Sequence, residues 1–233
     1  MSKVTLVTNT PNAEETIVEI ARVSSKRTDK KAKPEGLINY LIKHKHWSPF
    51  EHASMTLEID TSKAIGIQLI RHRSFTFQEF SQRYQDVSLL AGGPRVSDMF
   101  EPIELRKQAQ DNRQSSTEVF DPLLPKAELF LNPLMGTNYR ASEAIHNFQV
   151  IARGIYNELL EAGVARETAR MILPLSTKTK IYMTGTLRSW IHFFELRDDA
   201  HAQKEIQEIA KEGKQIFTEQ FPVLSNALGY KDE

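Results

Sequence analysis

Residues 71–84 read Arg71-His72-Arg73-Ser74-Phe75-Thr76-Phe77-Gln78-Glu79-Phe80-Ser81-Gln82-Arg83-Tyr84. Guanidinium, imidazole, carboxylate and hydroxyl groups are concentrated in this one short stretch. Arginine presents a planar fork that matches phosphate oxygens, and a serine hydroxyl with loop N–H groups can complete the cradle. Glu79 can accept a hydrogen bond from a sugar hydroxyl, and the interleaved phenylalanines are expected to anchor the loop against apolar surface. The stretch therefore predicts a site for a phosphorylated ligand; the alternative is a solvated basic turn paired with scattered acids.

The composition of the whole chain limits the other possibilities. Its 233 residues include 30 Lys and Arg against 30 Asp and Glu, and no cysteine. A formal net charge of zero argues against binding of nucleic acid or an anionic membrane through overall charge, so we expect any anion site to be local. Without cysteine there is no disulfide, thiolate metal site or cysteine nucleophile. The chain shows neither the apolar run of a signal peptide nor that of a membrane span, and we expect a cytoplasmic location.

The periodicity of apolar residues predicts a mixture of helices and strands. Helices are predicted over about 12–23, 36–46, 61–70, 141–162, 187–196 and 200–220, and strands over about 4–8, 54–60 and 178–184. Asn12 is the expected N-cap of the first helix, and Gly163 is a natural residue to follow the helix over 141–162. Residues 90–138 contain paired glycines, several prolines and weak periodicity, which indicates a peripheral excursion from a single domain spanning 1–233.

Two further groups of polar residues are candidates for chemistry. Arg166 and Arg170 are four residues apart on a short predicted helix, where they either bind a ligand or pair with neighbouring acids. Arg188 and His192, and likewise Arg197 with His201, are also four apart and are expected to share helix faces. Polar groups on one side of an otherwise apolar helix are typically directed toward a ligand, water or another subunit. Taken alone, His192 can also be a hydrogen-bonded core histidine.

Several common motifs are missing or do not fit. His44, His46 and His52 invite a metal site, but their spacing matches no helical ligand pair and Trp47 and Pro49 separate the rings, so we predict no metal. The chain has neither the G-x-G-x-x-G pattern nor a P-loop. Any nucleotide or flavin must therefore be bound without those cradles. No G-x-S-x-G elbow marks Ser81 as an acyl-transfer nucleophile.

Taken with their spacing, these residues resemble the signature of a known family. Arg71-His72-Arg73, seven further residues and Ser81 resemble the signature of the flavin-dependent thymidylate synthases (ThyX). The resemblance covers roughly residues 20 to 220 and extends to these further segments: Ser48-Pro49-Phe50-Glu51-His52, Gln68, Ala165–Arg170 with Leu173-Pro174, and Arg197 with His201-Ala202-Gln203. The absence of cysteine agrees with it, because the unrelated thymidylate synthases attack uracil with a cysteine thiolate.

The resemblance implies both an architecture and a reaction. It implies the α+β fold of the family, assembled as a homotetramer in which each active site draws on several subunits. The implied enzyme uses FAD to convert dUMP to dTMP, with 5,10-methylenetetrahydrofolate as the carbon donor and NADPH as the reductant of the flavin. Activation of the nucleotide is then electrostatic, through arginines beside the uracil ring. It implies no nucleic-acid partner and no membrane partner.

The resemblance also implies roles for individual residues. Those expected to hold dUMP are Gln68, Arg71, Glu79, Ser81, Arg83, Arg170 and Arg197, with Ser81 and Arg83 at its phosphate. Those expected along FAD are Ser24, Ser48, Glu51, Arg71, His72, Arg73, Arg188, His192 and His201. His46 is expected near the folate and flavin rings, and we count it among the catalytic candidates together with Arg170, Arg197 and Ser81.

The sequence departs from the family pattern at a few positions. His192 and Thr186 stand where relatives often have Asn, and both retain a hydrogen-bonding group, so we expect altered flavin contacts with retained activity. Thr76 and Gln78 stand where Ser and Asn are frequent. Two other classes of function stay open at this point: a nucleotide sensor that binds dUMP without turnover, and a structural or RNA-binding protein that uses a local patch of Arg and Phe.

Overall fold

The secondary structure mixes helices and strands along the whole chain. A computed structural model describes residues 2–24, 34–93, 95–110, 112, 115–127 and 139–230. Its helices are α1 (Ala13–Ala21), α2 (Pro34–Lys43), α3 (Lys63–Leu69), α4 (Ala141–Glu161), α5 (Arg166–Ala169), α6 (Leu187–Arg197), α7 (Lys204–Gln220) and α8 (Pro222–Leu228). Its strands are β1 (Lys3–Asn9), β2 (Ser54–Ser62), β3 (Phe75–Glu79), β4 (Arg106–Gln108), β5 (Ser116–Val119), β6 (Leu123–Leu124), β7 (Tyr139–Arg140) and β8 (Lys178–Thr186). Short 3-10 helices cover Arg22–Ser24, Ser48–His52, Val87–Leu90, Val96–Met99 and Arg170–Ile172.

The main sheet has the strand order β1-β2-β8-β3. Side chains alternate between the two faces of a strand, and in β2 the buried apolar ones are Met55, Leu57 and Ile59, followed by the buried polar Thr61 and Ser62. Two small antiparallel pairs, β4 with β5 and β6 with β7, lie outside this sheet. The α+β class predicted from the sequence is confirmed. Within the described ranges, no helix has both the length and the apolar character needed to cross a membrane.

The chain divides into two compact units. One, which we call the His72 unit, comprises Ser2–Ile59, Gln68–Gln78 and Ile181–Glu233. The other, the Glu79 unit, comprises Asp60–Ile67 and Glu79–Lys180. The single domain expected over 1–233 stays a prediction.

Aromatic side chains form the core of the His72 unit. Trp190 lies at its centre: its ring centroid is 4.8 Å from that of Phe75 and 5.7 Å from those of Phe193 and Phe194, and its Nε1–H donates to the carbonyl of Met55 at 2.9 Å. These rings come from β3 and α6, and all are buried. Most of the ring pairs are edge-to-face, the arrangement that the aromatic quadrupole favours. This core fixes helix α6 relative to the start of β3.

The core of the Glu79 unit forms where helix α4 meets the loops before it. Val87, Ala91, Met99, Phe100, Tyr156 and Ala169 make one buried cluster. Three of these residues, Ala91, Met99 and Phe100, lie in the stretch predicted to be peripheral. For them that expectation is wrong: apolar side chains that are widely spaced in sequence still join a core when a long helix covers them. Part of the stretch, 94, 111, 113–114 and 128–138, lies outside the described residues.

Some predicted boundaries were also wrong. Thr61 and Ser62 continue β2 rather than opening a helix, and Thr61 is 1% exposed. Phe75–Glu79 forms strand β3, where the sequence indicated a loop. Asn12 does occupy the N-cap position of α1, but with φ of 50° and no side-chain cap bond. Gly163 follows α4 with φ of 83°, as predicted.

The close approach between Gly185 and Phe75 yields a stability prediction. A Cβ at Gly185 would lie 2.4 Å from Cδ1 and Cε1 of Phe75, whose ring is backed by Trp190. We expect Gly185→Ala to lower the free energy of unfolding by about 1–3 kcal/mol, the usual range for overpacking. Urea unfolding would measure it.

Gly154→Ala is the matched control. A Cβ at Gly154 meets nothing within 4 Å in helix α4, so alanine should leave the stability unchanged or raise it by about 0.5–1 kcal/mol. Equal destabilisation by the two substitutions would show that the contact with Phe75 is not the cause.

Candidate functional site

A hydrogen bond joins Arg197, the last residue of helix α6, to His72 of the Arg71-His72-Arg73 motif. Arg197 Nε donates to Nε2 of His72 at 2.9 Å. Arg197 lies at the end of α6, and His72 lies in the turn between α3 and β3. A ring nitrogen accepts only when it carries no proton, so the imidazole is neutral with its proton on Nδ1. The two residues are 125 positions apart in sequence.

The surroundings of His72 keep its ring uncharged. Burial, then the charges of Arg197 and His192, lower the pKa of His72 from 6.5 to about 4. Burial also lowers the pKa of Arg197, which remains a cation because free arginine is so strongly basic. The pair therefore consists of a guanidinium cation held by a neutral acceptor.

A second cluster connects the 3-10 helix Ser48–His52 to the start of α6. Arg188 Nη1 donates to Glu51 Oε1 at 2.6 Å, and Thr186 Oγ1 donates to Glu51 Oε2 at 3.3 Å. Thr186 is the N-cap of α6, since its hydroxyl accepts from the backbone N–H of Ser189. The side chains of Arg188 and Glu51 are 50% and 41% exposed, so both can reach a ligand. Ser48 opens this 3-10 helix.

The remaining expected flavin residues of this unit lie at exposed positions. Arg71 and Arg73 are exposed in the turn before β3. His192 is exposed on α6, with Nδ1 4.0 Å from Glu195 Oε2. His201 is exposed, and its backbone N–H donates to Asp199 Oδ1 at 2.8 Å. The helix face expected to join Arg197 and His201 does not exist, because α6 ends at Arg197. Ser24 ends a 3-10 helix, and its side chain lies outside the described part.

Two amides and two imidazoles of the His72 unit make further contacts around expected site residues. Gln68 Nε2 donates to Gln203 Oε1 at 2.6 Å. This bond connects helix α3, three residues before the Arg-His-Arg motif, to the segment after α6. His46 lies 5.9 Å from Tyr40 and 6.1 Å from His44, measured between ring centroids. These rings form an exposed aromatic cluster at the end of α2. No group of three or more His, Cys, Asp or Glu among the described residues could hold a metal ion.

In the Glu79 unit, the carboxylate of Glu79 is held from two sides. Lys63 Nζ and Thr179 Oγ1 each lie 2.8 Å from Glu79 Oε1. Sequence reasoning missed Lys63 and Thr179, since neither belongs to a motif. Thr179 reaches Glu79 through strand β8 and Lys63 through helix α3, and no local spacing predicts such contacts.

The other expected nucleotide residues of the Glu79 unit lie at a turn after β3 and on a short 3-10 helix. Ser81 is half-buried, and its carbonyl accepts from the backbone N–H groups of Tyr84 and Gln85, both at 3.1 Å. Arg83 is exposed, with its guanidinium carbon 6.0 Å from the ring centre of Tyr84. Arg170 begins the 3-10 helix after α5, and its Nε donates to the carbonyl of Glu167 at 3.3 Å. These groups offer cations and a hydroxyl suited to an anion.

The expected sets are distributed unequally between the two units. Every expected flavin residue belongs to the His72 unit. The expected nucleotide residues are divided: Gln68, Arg71 and Arg197 belong to the His72 unit, whereas Glu79, Ser81, Arg83 and Arg170 belong to the Glu79 unit. Fold and side chains together define an α+β protein equipped with guanidinium, imidazole and carboxylate groups for a polar, anionic ligand.

Comparison with known proteins identifies the family to which this α+β protein belongs. The family model described as thymidylate synthase complementing protein matches residues 5–223. The probable flavin-dependent thymidylate synthase of Paramecium bursaria Chlorella virus 1 is 42% identical over 219 residues, which cover 94% of this chain and 91% of that protein. The flavin-dependent thymidylate synthase of Synechocystis sp. is 40% identical over 212 residues, which cover 91% of this chain and 87% of that protein.

A solved structure agrees with these matches. The UMP/dUMP methylase PolB from Streptomyces cacaoi, bound with 5-Br dUMP, has a TM-score of 0.72 at 28% identity, with 98% of this chain and 95% of that chain covered. The chain belongs to the family of flavin-dependent thymidylate synthases, the enzymes of dTMP biosynthesis that rely on a flavin. The family predicted from the sequence is thus confirmed.

The low pKa of His72 predicts how stability depends on pH. Between its ordinary value of 6.5 and about 4 in the folded protein, the unfolded chain binds a proton that the folded protein does not. Acidification across this window therefore stabilises the unfolded state, and the free energy of unfolding falls as the pH decreases. Above this window the group contributes no pH dependence.

Urea unfolding at about pH 7, 6 and 5 tests this expectation. Wild type should lose more stability than His72→Gln, which cannot take up the proton. Parallel losses in the two proteins would show that His72 does not titrate in this way.

Proposed function

We propose that this enzyme catalyses the reductive methylation of dUMP to dTMP without a cysteine nucleophile. 5,10-Methylenetetrahydrofolate supplies the carbon and NADPH supplies the reducing equivalents through FAD. The observation that carries the proposal is the absence of cysteine from a member of a thymidylate synthase family. A thiolate cannot attack the uracil ring here, so the ring must be activated in another way. The relative from Streptomyces cacaoi, whose structure contains 5-Br dUMP, supports the nucleotide as substrate.

Activation of the nucleotide is assigned to fixed positive charge. Arg170 and Arg197 reach the nucleotide and stabilise negative charge that develops on the ring, since preorganised cations need no rearrangement during reaction. Ser81 and Arg83 bind its phosphate, so Ser81 is a ligand and not a nucleophile. Gln68, Arg71 and Glu79 complete the nucleotide site. The carboxylate of Glu79 is supported in this role by its contacts to Lys63 and Thr179.

The side chains assigned to FAD suit a dinucleotide. Arg188 uses Nη1 for Glu51 and keeps further N–H donors on a half-exposed guanidinium, while Arg71 and Arg73 are exposed cations. Such groups match an anionic pyrophosphate. The residues that would hold FAD are Ser24, Ser48, Glu51, Arg71, His72, Arg73, Arg188, His192 and His201, and His46 would contribute near the folate and flavin. When bound, FAD supplies the redox chemistry, and the protein orients the substrates against it.

We propose that the enzyme is a cytoplasmic homotetramer whose active sites are shared between subunits. Helix α4 supports self-association, because Phe148, Ile151 and Ile155 are 48%, 45% and 50% exposed along it. Phe148 also lines an apolar cavity of about 580 Å³ together with Leu124, Pro125, Lys126, Ala127, Ala144 and Ile145. Contiguous exposed apolar surface of this kind is typical of an interface.

The central test is formation of dTMP by FAD-loaded enzyme supplied with dUMP, NADPH and 5,10-methylenetetrahydrofolate. Omission of any one component should abolish product. We expect Arg170→Ala to lower kcat by roughly 100-fold or more, because it removes a charge that stabilises the transition state.

The control removes an arginine placed outside the site. Arg95 is exposed, and its backbone N–H rather than its side chain contacts Asp98, so Arg95→Ala should retain activity and fold equally well. Full activity of Arg170→Ala would remove Arg170 from the mechanism. Binding of dUMP without product in wild type would favour a nucleotide sensor.

Sharing of sites is tested by complementation. Arg170→Ala and Arg197→Ala should each be inactive as homotetramers. Co-expressed at equal levels, they should recover about one quarter of wild-type activity if different subunits supply the two arginines to one site, since each arginine is then intact independently in half of the sites. No recovery in mixed tetramers, with the tetramer mass verified by light scattering, would place both arginines in one subunit.

A further inference from the structure

We propose that His72 is a positioning residue that orients the guanidinium of Arg197 toward the nucleotide. This inference rests on the proposed function, in which Arg197 contacts dUMP. The imidazole of His72 would then orient Arg197 in addition to making its expected contact with the flavin.

The hydrogen bond uses the inner nitrogen of the Arg197 guanidinium, Nε, and neither of the terminal NH₂ groups. Nε donates to His72 Nε2 at 2.9 Å. Both terminal NH₂ groups thus stay available, and they form the fork that recognises carbonyl or phosphate oxygens. Because the bond constrains the direction of the Nε–H group, it restricts the directions in which that fork can point.

The imidazole can impose this direction because it is itself held by the core. Its ring centroid lies 5.0 Å from that of Phe193, nearly edge-to-face at 73°, and 6.3 Å from that of Phe75 at 89°. Both phenylalanines are buried. Phe75 packs against Trp190 at 4.8 Å, in space that Gly185 leaves open. An exposed histidine would lack this support and would impose little direction on its partner.

The backbone of Arg197 is held as well. The next residue, Asp198, accepts from Lys214 Nζ at 2.8 Å, so the end of α6 is tied to helix α7. His192, one turn earlier on α6, adds to the field that keeps the imidazole neutral, and Glu195 lies beside His192 at 4.0 Å. At neutral pH the acceptor lone pair of His72 is therefore available.

Two substitutions at His72 separate the acceptor from the ring. His72→Phe keeps a ring for Phe193 but removes the acceptor, whereas His72→Gln keeps an acceptor, Oε1, but removes the ring. FAD-loaded protein is used, and flavin occupancy is measured by its visible absorbance. We expect His72→Phe to lower kcat/KM for dUMP by roughly 100-fold, the effect of a small misplacement of a reacting group. His72→Gln should stay within about tenfold of wild type at equal flavin occupancy.

A loss of kcat/KM in His72→Phe that His72→Gln does not share supports the inference, because only His72→Phe lacks the hydrogen-bond acceptor. Wild-type kcat/KM in His72→Phe, or equal losses in both variants that follow flavin occupancy, would overturn it. Protonation of His72 should also abolish the bond, so wild type should lose more affinity for dUMP than His72→Gln as the pH falls toward 4. The titration of the dUMP phosphate affects both proteins and cancels in this comparison.

A structural readout keeps this test separate from that of the proposed function. In a crystal structure of FAD-loaded His72→Phe, the guanidinium of Arg197 should leave the position it has in wild type. An unchanged guanidinium would refute the positioning role even if the enzyme makes no dTMP. If wild type makes no dTMP but the guanidinium is displaced in His72→Phe, the proposed function is refuted. The role of His72 in positioning the guanidinium would still be supported.

Discussion

The contact of Phe75 with the backbone at Gly185 is the constraint on which the rest of the His72 unit depends. Only a residue without Cβ lets the ring lie this close to strand β8. The ring then meets Trp190, and Trp190 is tied to β2 through the carbonyl of Met55. One glycine thereby lets β3, α6 and β2 share a single aromatic core, and that core supports the turn that presents His72.

Regular periodicity predicted the long elements of this fold well. Strands β2 and β8 follow from the alternation of their residues, because each buries one face. Helix α4 follows from the spacing of its apolar residues, although Phe148, Ile151 and Ile155 of that spacing stay exposed. Strand β3 was missed although its residues alternate between aromatic and polar, because the segment is short and dense with charge. Its pairing with β8 is a contact across about a hundred residues of sequence. Thr61 and Ser62 have good capping side chains, yet pairing within the sheet overrides that local preference.

In the candidate site, too, local sequence patterns predicted some features, whereas contacts between residues distant in sequence were not predicted. Motif spacing identified Arg197 and Glu79 as candidates, but it could not identify what holds them. Spacing suggested His201 as the neighbour of Arg197 on a helix, whereas α6 ends at that arginine and the observed partner is His72. Lys63 likewise carries no motif and contacts Glu79 only because α3 follows β2 directly. Sequence patterns select the candidate groups, while the contacts that hold these groups depend on tertiary packing.

An enzyme that lacks a thiolate depends on this support more than one that forms a covalent adduct. A covalent bond holds its substrate by itself, whereas a cation stabilises developing charge only if it already points at it. A flexible arginine would turn toward water and its benefit would fall with the higher local dielectric constant. Partial burial of Arg197 limits its rotation toward water. Its neutral acceptor restrains the guanidinium and leaves its charge in place, whereas a carboxylate would cancel that charge. A neutral histidine is therefore a better support for such a cation than the acidic residues that usually accompany arginine.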